Sequence, residues 1–168
     1  HATGSFLEKV APQIRACLEH GSSVVSTCEE LSYPFYRHPK LALELHDLGV
    51  RHGAFVLGTG VNPGFVMDKL VATLISACTR VDRVRAVRVL DPATRRRAFQ
   101  VKVGVGLSRE EFDSRAATGE MGHVGLAESA HLLADVIGVS TTRETRESFE
   151  PRIAEAPRRS GELSVAPG

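Results

Sequence analysis

Apolar and polar positions in the first eighty residues follow two alternating periods. Phe6, Val10, Ile14 and Leu18 recur every four residues and predict one face of a helix, with Ser5 and Glu8 spaced as a capping box. Pro12 interrupts that pattern. A proline lacks the amide and crowds the preceding turn, so regular helix is expected to begin near Ala11 and to stop at Gly21. Residues 24–27 (VVST) are a short β-branched run that predicts a buried strand leading into Cys28-Glu29-Glu30. Pro39 opens a second helix with Leu41, Leu45 and Leu48 on one face and Gly49 or Gly53 at its end. A second strand, residues 54–57, enters the turn 58–68, and an apolar run continues over residues 65–78.

Strands alternating with helices predict a parallel sheet covered on both faces, with any ligand at the carboxyl ends of its strands. Three turns are expected to converge there: residues 1–5, 27–30 and 60–65.

Beyond Cys78 the period changes. Val84, Ala86, Val87 and Val89 alternate with arginines across a phase slip, and Phe99, Val101, Val103 and Val105 alternate with Gln100, Lys102, Gly104 and Gly106. Both read as half-exposed strands of an open sheet. Ser108 and Glu111 predict a capping box over a short helix, and a glycine-rich break at 119–125 precedes a helix with Leu126, Ala130, Leu133 and Ile137 on one face and Gly138 as its stop. Residues 150–168, with Pro151, Pro157 and Gly161, read as a mobile tail. The organisation expected is thus 1–80, 81–149 and a tail. The chain opens on His1 and reads as an internal piece of a longer protein.

Composition narrows the function classes. The 168 residues are 42% hydrophobic and 24% charged, enough for one ordinary core or parts of two. A formal net charge of +1 gives no basic surplus for nucleic acid or an acidic membrane surface, and Arg95-Arg96-Arg97 reads as a solvated turn. Cys17, Cys28 and Cys78 have neither zinc spacing nor a disulfide pattern, which places the chain in a reducing cytoplasm. Asp68 and Lys69 interrupt the longest apolar run, which is too short to cross a bilayer.

The turn 58–68 carries the first chemical reading. Asn62 is an N-cap residue type and Pro63 a first-turn type, so the amides of Gly64, Phe65 and Val66 are expected to face outward at a helix's positive end. Such an end holds a phosphate, a carboxylate or a nicotinamide carboxamide. Gly58, Gly60 and Gly64, with Asp82 downstream, also permit a dinucleotide fingerprint, but Pro63 takes one amide out of that cradle. Glu29, at a strand end, reads as a proton acceptor or ammonium partner, or else as a solvated loop carboxylate. Asp68 either complements the helix dipole or handles a proton, and His123 is a proton carrier near neutral pH or a structural histidine. Cys28 packs or meets a cofactor, Glu128 is helix surface or an interdomain contact, and His20, His38, His46 and His52 receive no role.

Four motifs in order, residues 1–5 (HATGS), 24–31 (VVSTCEEL), 58–68 (GTGVNPGFVMD) and 122–129 (GHVGLAES), resemble the 2,4-diaminopentanoate dehydrogenase-like proteins, which are relatives of dihydrodipicolinate reductase. The resemblance runs over residues 1–138. It implies an α/β chain: the C-terminal part of a Rossmann-like parallel sheet, followed by an α+β open-sheet region that begins the catalytic and oligomerisation domain. The cofactor implied is NADP or NAD, with its phosphate loop upstream of His1. By the same resemblance Thr3, Gly4, Thr27, Cys28, Asn62, Pro63, Gly64 and Phe65 surround the nicotinamide and its ribose; Glu29, His123 and Asp68, read from the residues themselves, are the candidates for catalysis. The paired histidines and the proline-serine-glycine-threonine run of dihydrodipicolinate reductases have no counterpart, so deamination of an amino-acid-like amine, or reduction of the corresponding imine, fits better than ring reduction. The partners implied are a small-molecule substrate and further copies of the chain, with no nucleic acid and no membrane. The rival expectation is an inactive piece that docks through an apolar sheet edge.

Overall fold

Helix α1 (Leu7–Glu19) buries Val10, Ile14 and Leu18, as the four-residue spacing predicts, together with Leu7 and Ala11, whereas Phe6 precedes the helix and is 38% exposed. It runs through Pro12 instead of starting near Ala11. A proline inside a helix costs about 3 kcal/mol, whereas each large apolar side chain fully buried returns roughly 1.5–3 kcal/mol, so Leu7, Val10, Ile14 and Leu18 together outweigh one ring. The expected Ser5–Glu8 capping box does not form. Phe6 is the N-cap without a side-chain bond, and the amide of Leu7 donates instead to Glu30 Oε2 at 2.7 Å.

Strand β1 (Val24–Ser26) leads into a 3₁₀ turn (Glu29–Ser32), and helix α2 (Pro39–His52) carries Pro39 in its first turn and ends at Gly53, whose φ of 64° is the left-handed cap expected of glycine. Strand β2 (Val56–Gly58) pairs with β1 in parallel, Val24 opposite Val56, Val25 opposite Leu57 and Ser26 opposite Gly58. Leu7, Val10, Ile14, Leu18, Val24, Cys28, Leu31, Leu45 and Leu48 form one core cluster, with Val56 packed against it. The other face of the pair is not covered among the described residues: Val25 is 51% exposed and Leu57 45%. Gly58 is required where it stands, because a Cβ there would lie 2.0 Å from the carbonyl oxygen of Leu31.

The turn 62–68 does not begin a helix at Asn62. Helix α3 (Lys69–Ile75) starts after Asp68, which is its N-cap. A carboxylate bonding to amides on both sides of itself offers the backbone an alternative to helix, and this one fixes the preceding residues as successive turns.

The structure is a computed structural model that describes residues 1–118, 121–139, 145–160 and 163–167. It divides into two units, His1–Val87 with Val124–Arg146, and Arg88–His123 with Glu147–Gly168. In the second unit the expected strand at 99–106 is absent. Helix α4 (Arg97–Lys102) occupies its first half, and Gly104 and Gly106 adopt φ of 94° and 81°, outside extended backbone. Alternating side chains hold a strand only when a neighbour takes its amides and carbonyls. No such neighbour pairs with 99–106, nor with 84–89, among the described residues. Helix α5 (Arg109–Ala117) has the predicted capping box: Ser108 Oγ accepts from the Glu111 amide at 3.2 Å, and the Ser108 amide donates to Glu111 Oε2 at 3.0 Å.

Helix α6 (Leu126–Val136) belongs to the first unit. Its buried residues are Ala127, Glu128, Ser129, His131 and Leu133, while Leu126 and Ala130 are exposed, so the helix is rotated from the predicted face. In the second unit, strands β3 (Arg158–Ser160) and β4 (Leu163–Val165) pair antiparallel within the expected tail, and Phe112 stacks on Phe149 with centroids 5.2 Å apart.

Candidate functional site at the carboxyl ends of the parallel strands

Parallel pairing in register sends both chains out of the sheet side by side, after Ser26 and after Gly58. The amide of Thr59 donates to Ser26 O at 2.8 Å, that of Thr27 to His1 O at 3.0 Å, and that of Glu30 to Ser5 O at 3.2 Å. Residues 1–5 are thereby laced to the turn after β1, and that turn to the start of the one after β2. Thr3 and Thr27 are exposed there, Gly4 is exposed, and Glu29 is half-exposed. Thr3 Oγ1 donates to Gln13 Oε1 at 2.9 Å, and the ring of His1 lies within hydrogen-bond distance of Gln13 Oε1 and Ser26 Oγ, at 2.6 and 3.0 Å.

The two adjacent carboxylates of Glu29 and Glu30 have separate fates. Glu30 is buried, accepts the Leu7 amide and meets His38 Nε2 at 3.0 Å, which makes it the anion at the start of α1. Glu29 has no hydrogen-bond or ion-pair partner for its carboxylate among the described residues. It is the acid left available at this end of the sheet.

Other sequence-level expectations need correction. Cys28 is fully buried and its thiol donates to Ser5 O at 3.3 Å; burial pushes that thiol up to about 11, so its side chain is a packed neutral group and not a surface for a cofactor. Asp68 is also fully buried, and both oxygens are occupied: Oδ1 by the Lys69 amide at 2.6 Å, Oδ2 by the Gly64 amide at 2.6 Å and by Ser129 Oγ at 2.8 Å. A carboxylate so enclosed organises the turn. Two of the three expected outward amides are corrected too, since Gly64 donates to Asp68 and Val66 to Val61 O at 2.9 Å. Pro63 and Gly64 are buried, with Pro63 against Gly125, where a Cβ would lie 2.3 Å from Pro63 Cγ. Asn62 is half-buried, joined to Pro63 by a cis peptide, and Phe65 presents its ring, 51% exposed. His123 is half-buried and lies in the second unit.

Several residues around this site carry no signal in the sequence. Glu128, read as helix surface or an interdomain contact, is fully buried and accepts from Arg37 Nε at 2.6 Å within the first unit. His131 stacks on Tyr36, centroids 3.8 Å apart, and the Arg37 guanidinium lies over the same Tyr36 ring at 5.2 Å. Lys69 Nζ donates to Gly58 O at the end of β2. Burial raises the pKa of the Tyr33 phenol, as does the nearby negative charge of Asp135 on α6. The polar run Glu128-Ser129 inside a helix was the one available hint, and it does not name partners so distant along the chain.

The model of the 2,4-diaminopentanoate dehydrogenase C-terminal domain matches residues 65–168. The chain is 35% identical over 159 residues to 2,4-diaminopentanoate dehydrogenase of Acetoanaerobium sticklandii, a match covering 94% of this chain and 45% of that protein. Its fold matches an amine dehydrogenase from Mycobacterium smegmatis with a TM-score of 0.82 and 28% identity, over 100% of this chain and 50% of that one. The chain spans about half the length of these relatives. Because the domain match takes in more than half of the residues and the fold match all of them, the chain belongs to the 2,4-diaminopentanoate dehydrogenase family and carries that family's C-terminal domain over residues 65–168.

Proposed function

We propose that the full-length protein is a nicotinamide-dependent oxidoreductase that deaminates an amino-acid-like amine or reduces the matching imine. The observation that carries this reading is Glu29, a half-exposed carboxylate without a partner at the carboxyl ends of two parallel strands, beside a second carboxylate already committed to the fold. The names of the relatives, one a diamino-acid dehydrogenase and one an amine dehydrogenase, support the same class.

The residues present fit the nicotinamide end of such a cofactor. Exposed hydroxyls of Thr3 and Thr27 suit a carboxamide or ribose, and the exposed ring of Phe65 suits a flat heterocycle. When bound, the cofactor supplies a two-electron acceptor. Glu29 takes a proton from the substrate ammonium, which frees the nitrogen lone pair to form the C=N bond as the Cα hydrogen would leave with its bonding pair, as hydride, for that acceptor. Asn62 and Gly64 shape the turn that presents Phe65. The cofactor is NAD or NADP, and a cytoplasmic setting accords with three free cysteines; association into a homo-oligomer is part of the same proposal.

The test is Glu29→Gln in the full-length protein. Loss of a positioned acid–base group lowers kcat/KM by about 10²–10⁴-fold, with cofactor Kd within about twofold of the parent. Turnover of amines at the parent rate would sink the assignment.

A further inference from the structure

Two neighbouring side chains of α6 bond to two different segments of the first unit. Glu128 Oε1 accepts from Arg37 Nε at 2.6 Å, across 91 residues, and Arg37 belongs to the loop that continues from the Glu29–Ser32 turn. Ser129 Oγ donates to Asp68 Oδ2 at 2.8 Å, across 61 residues, and Asp68 closes the turn that presents Asn62 and Phe65. Glu128 and Asp68 are both 0% exposed. The Arg37–Glu128 ion pair is by itself a poor stabiliser, since apolar residues of equal volume often serve as well or better, while the Ser129 hydrogen bond to a charged acceptor does add stability. Beyond stability, the two contacts together supply one permitted geometry. Packing reinforces the same pair of contacts: Gly125 abuts Pro63 on one side, and His131 stacks on Tyr36 on the other.

We infer that Glu128, acting through Arg37, and Ser129, acting through Asp68, are positioning residues that set the spacing between Glu29 and the turn 62–65. The inference rests on the function proposed above. Neither residue touches substrate or cofactor. Their effect is to hold the proton acceptor and the cofactor-facing turn in one frame, as a misplacement of about 1 Å at a reacting centre costs on the order of a hundredfold in rate.

The experiment uses the full-length protein with Ser129→Ala, Ser129→Thr, Glu128→Gln and the apolar double variant Arg37→Met/Glu128→Leu, which tolerates loss of the ion pair should Glu128→Gln fail to fold. Cofactor Kd by calorimetry, kcat at saturation across pH, and melting temperature are read for each. Ser129→Ala is expected to weaken cofactor binding by roughly tenfold, with Ser129→Thr restoring most of it, because one hydrogen bond to a charged acceptor is removed and returned. Glu128→Gln and the double variant are expected to lower kcat by about tenfold or more at unchanged cofactor Kd. They should also displace the limb of the pH profile that Glu29→Gln abolishes. Lower melting temperatures with parental Kd, kcat and pH profile would overturn the inference, leaving α6 a purely structural helix. Failure of the functional reading is distinguishable: Glu29→Gln would then turn over normally, while the Ser129→Ala and Ser129→Thr binding data still decide whether α6 sets the turn.

Discussion

Asp68→Asn separates an organising carboxylate from an incidental one. The parent side chain accepts three hydrogen bonds from buried or half-buried donors, the amides of Gly64 and Lys69 and the hydroxyl of Ser129, at 2.6, 2.6 and 2.8 Å. Each bond to a charged acceptor is worth about 1.5–3 kcal/mol. Asparagine keeps one acceptor oxygen. If that oxygen faces Gly64 and Ser129, the new amide group meets the Lys69 amide donor to donor; the opposite orientation sets it against Gly64 instead. At least one bond is lost whichever way it turns, and another donor is left unmet, so a loss of about 2–4 kcal/mol is expected. Ser129→Ala removes one donor and should cost about 1.5–3 kcal/mol. Urea unfolding of the chain followed by far-ultraviolet dichroism gives both values, and the double variant closes a cycle in which the two changes couple by about 1 kcal/mol or more. A loss below about 1 kcal/mol for Asp68→Asn, or changes that simply add, would refute the account of this turn.

Further outcomes follow from the same geometry. Gly58→Ala forces a Cβ to within 2.0 Å of the Leu31 carbonyl oxygen, so either strand β2 or the 3₁₀ turn must shift, at a cost of about 3 kcal/mol or more; an unchanged melting temperature would contradict the close approach. Cys17 and Cys78 are exposed and Cys28 is buried, so a thiol reagent at pH 8 should label two cysteines rapidly and the third only on unfolding. Reaction of all three at one rate would count against the packing of Cys28. Because burial raises this thiol from 9.0 to about 11, its contribution to stability is complete below pH 9 and is lost as pH rises towards 11, a fall that Cys28→Ser should flatten.

How much of this was legible in the chain depended on whether the deciding physics was local. The face Val10, Ile14 and Leu18, the proline in the first turn of α2, the left-handed Gly53 after it and the Ser108–Glu111 capping box all act within one or two turns of backbone, and all stand in the structure as read. The parallel pairing of β1 with β2 was legible through the intervening helix, which leaves little choice of direction. The strand read at 99–106 failed because alternation describes only half of a sheet. Its other half is a neighbour to take the hydrogen bonds, and glycine at 104 and 106 let the backbone turn away.

The site shows the same division more sharply. Asn62 and Asp68 are equally good capping residues by type, and the contact with Ser129 on a helix 61 residues away selects Asp68. Glu29 and Glu30 are adjacent and chemically alike; the arrival of the α1 amide and of His38 consumes one and leaves the other. By itself, then, the sequence determined the α/β order of the first eighty residues, the turn at the end of β2 and the motifs of a dehydrogenase family, because periodicity, proline and glycine act over a few residues. Tertiary structure alone decided which carboxylates are structural and which is available, since burial and long-range partners such as Arg37 with Glu128 exist only once the helices have packed.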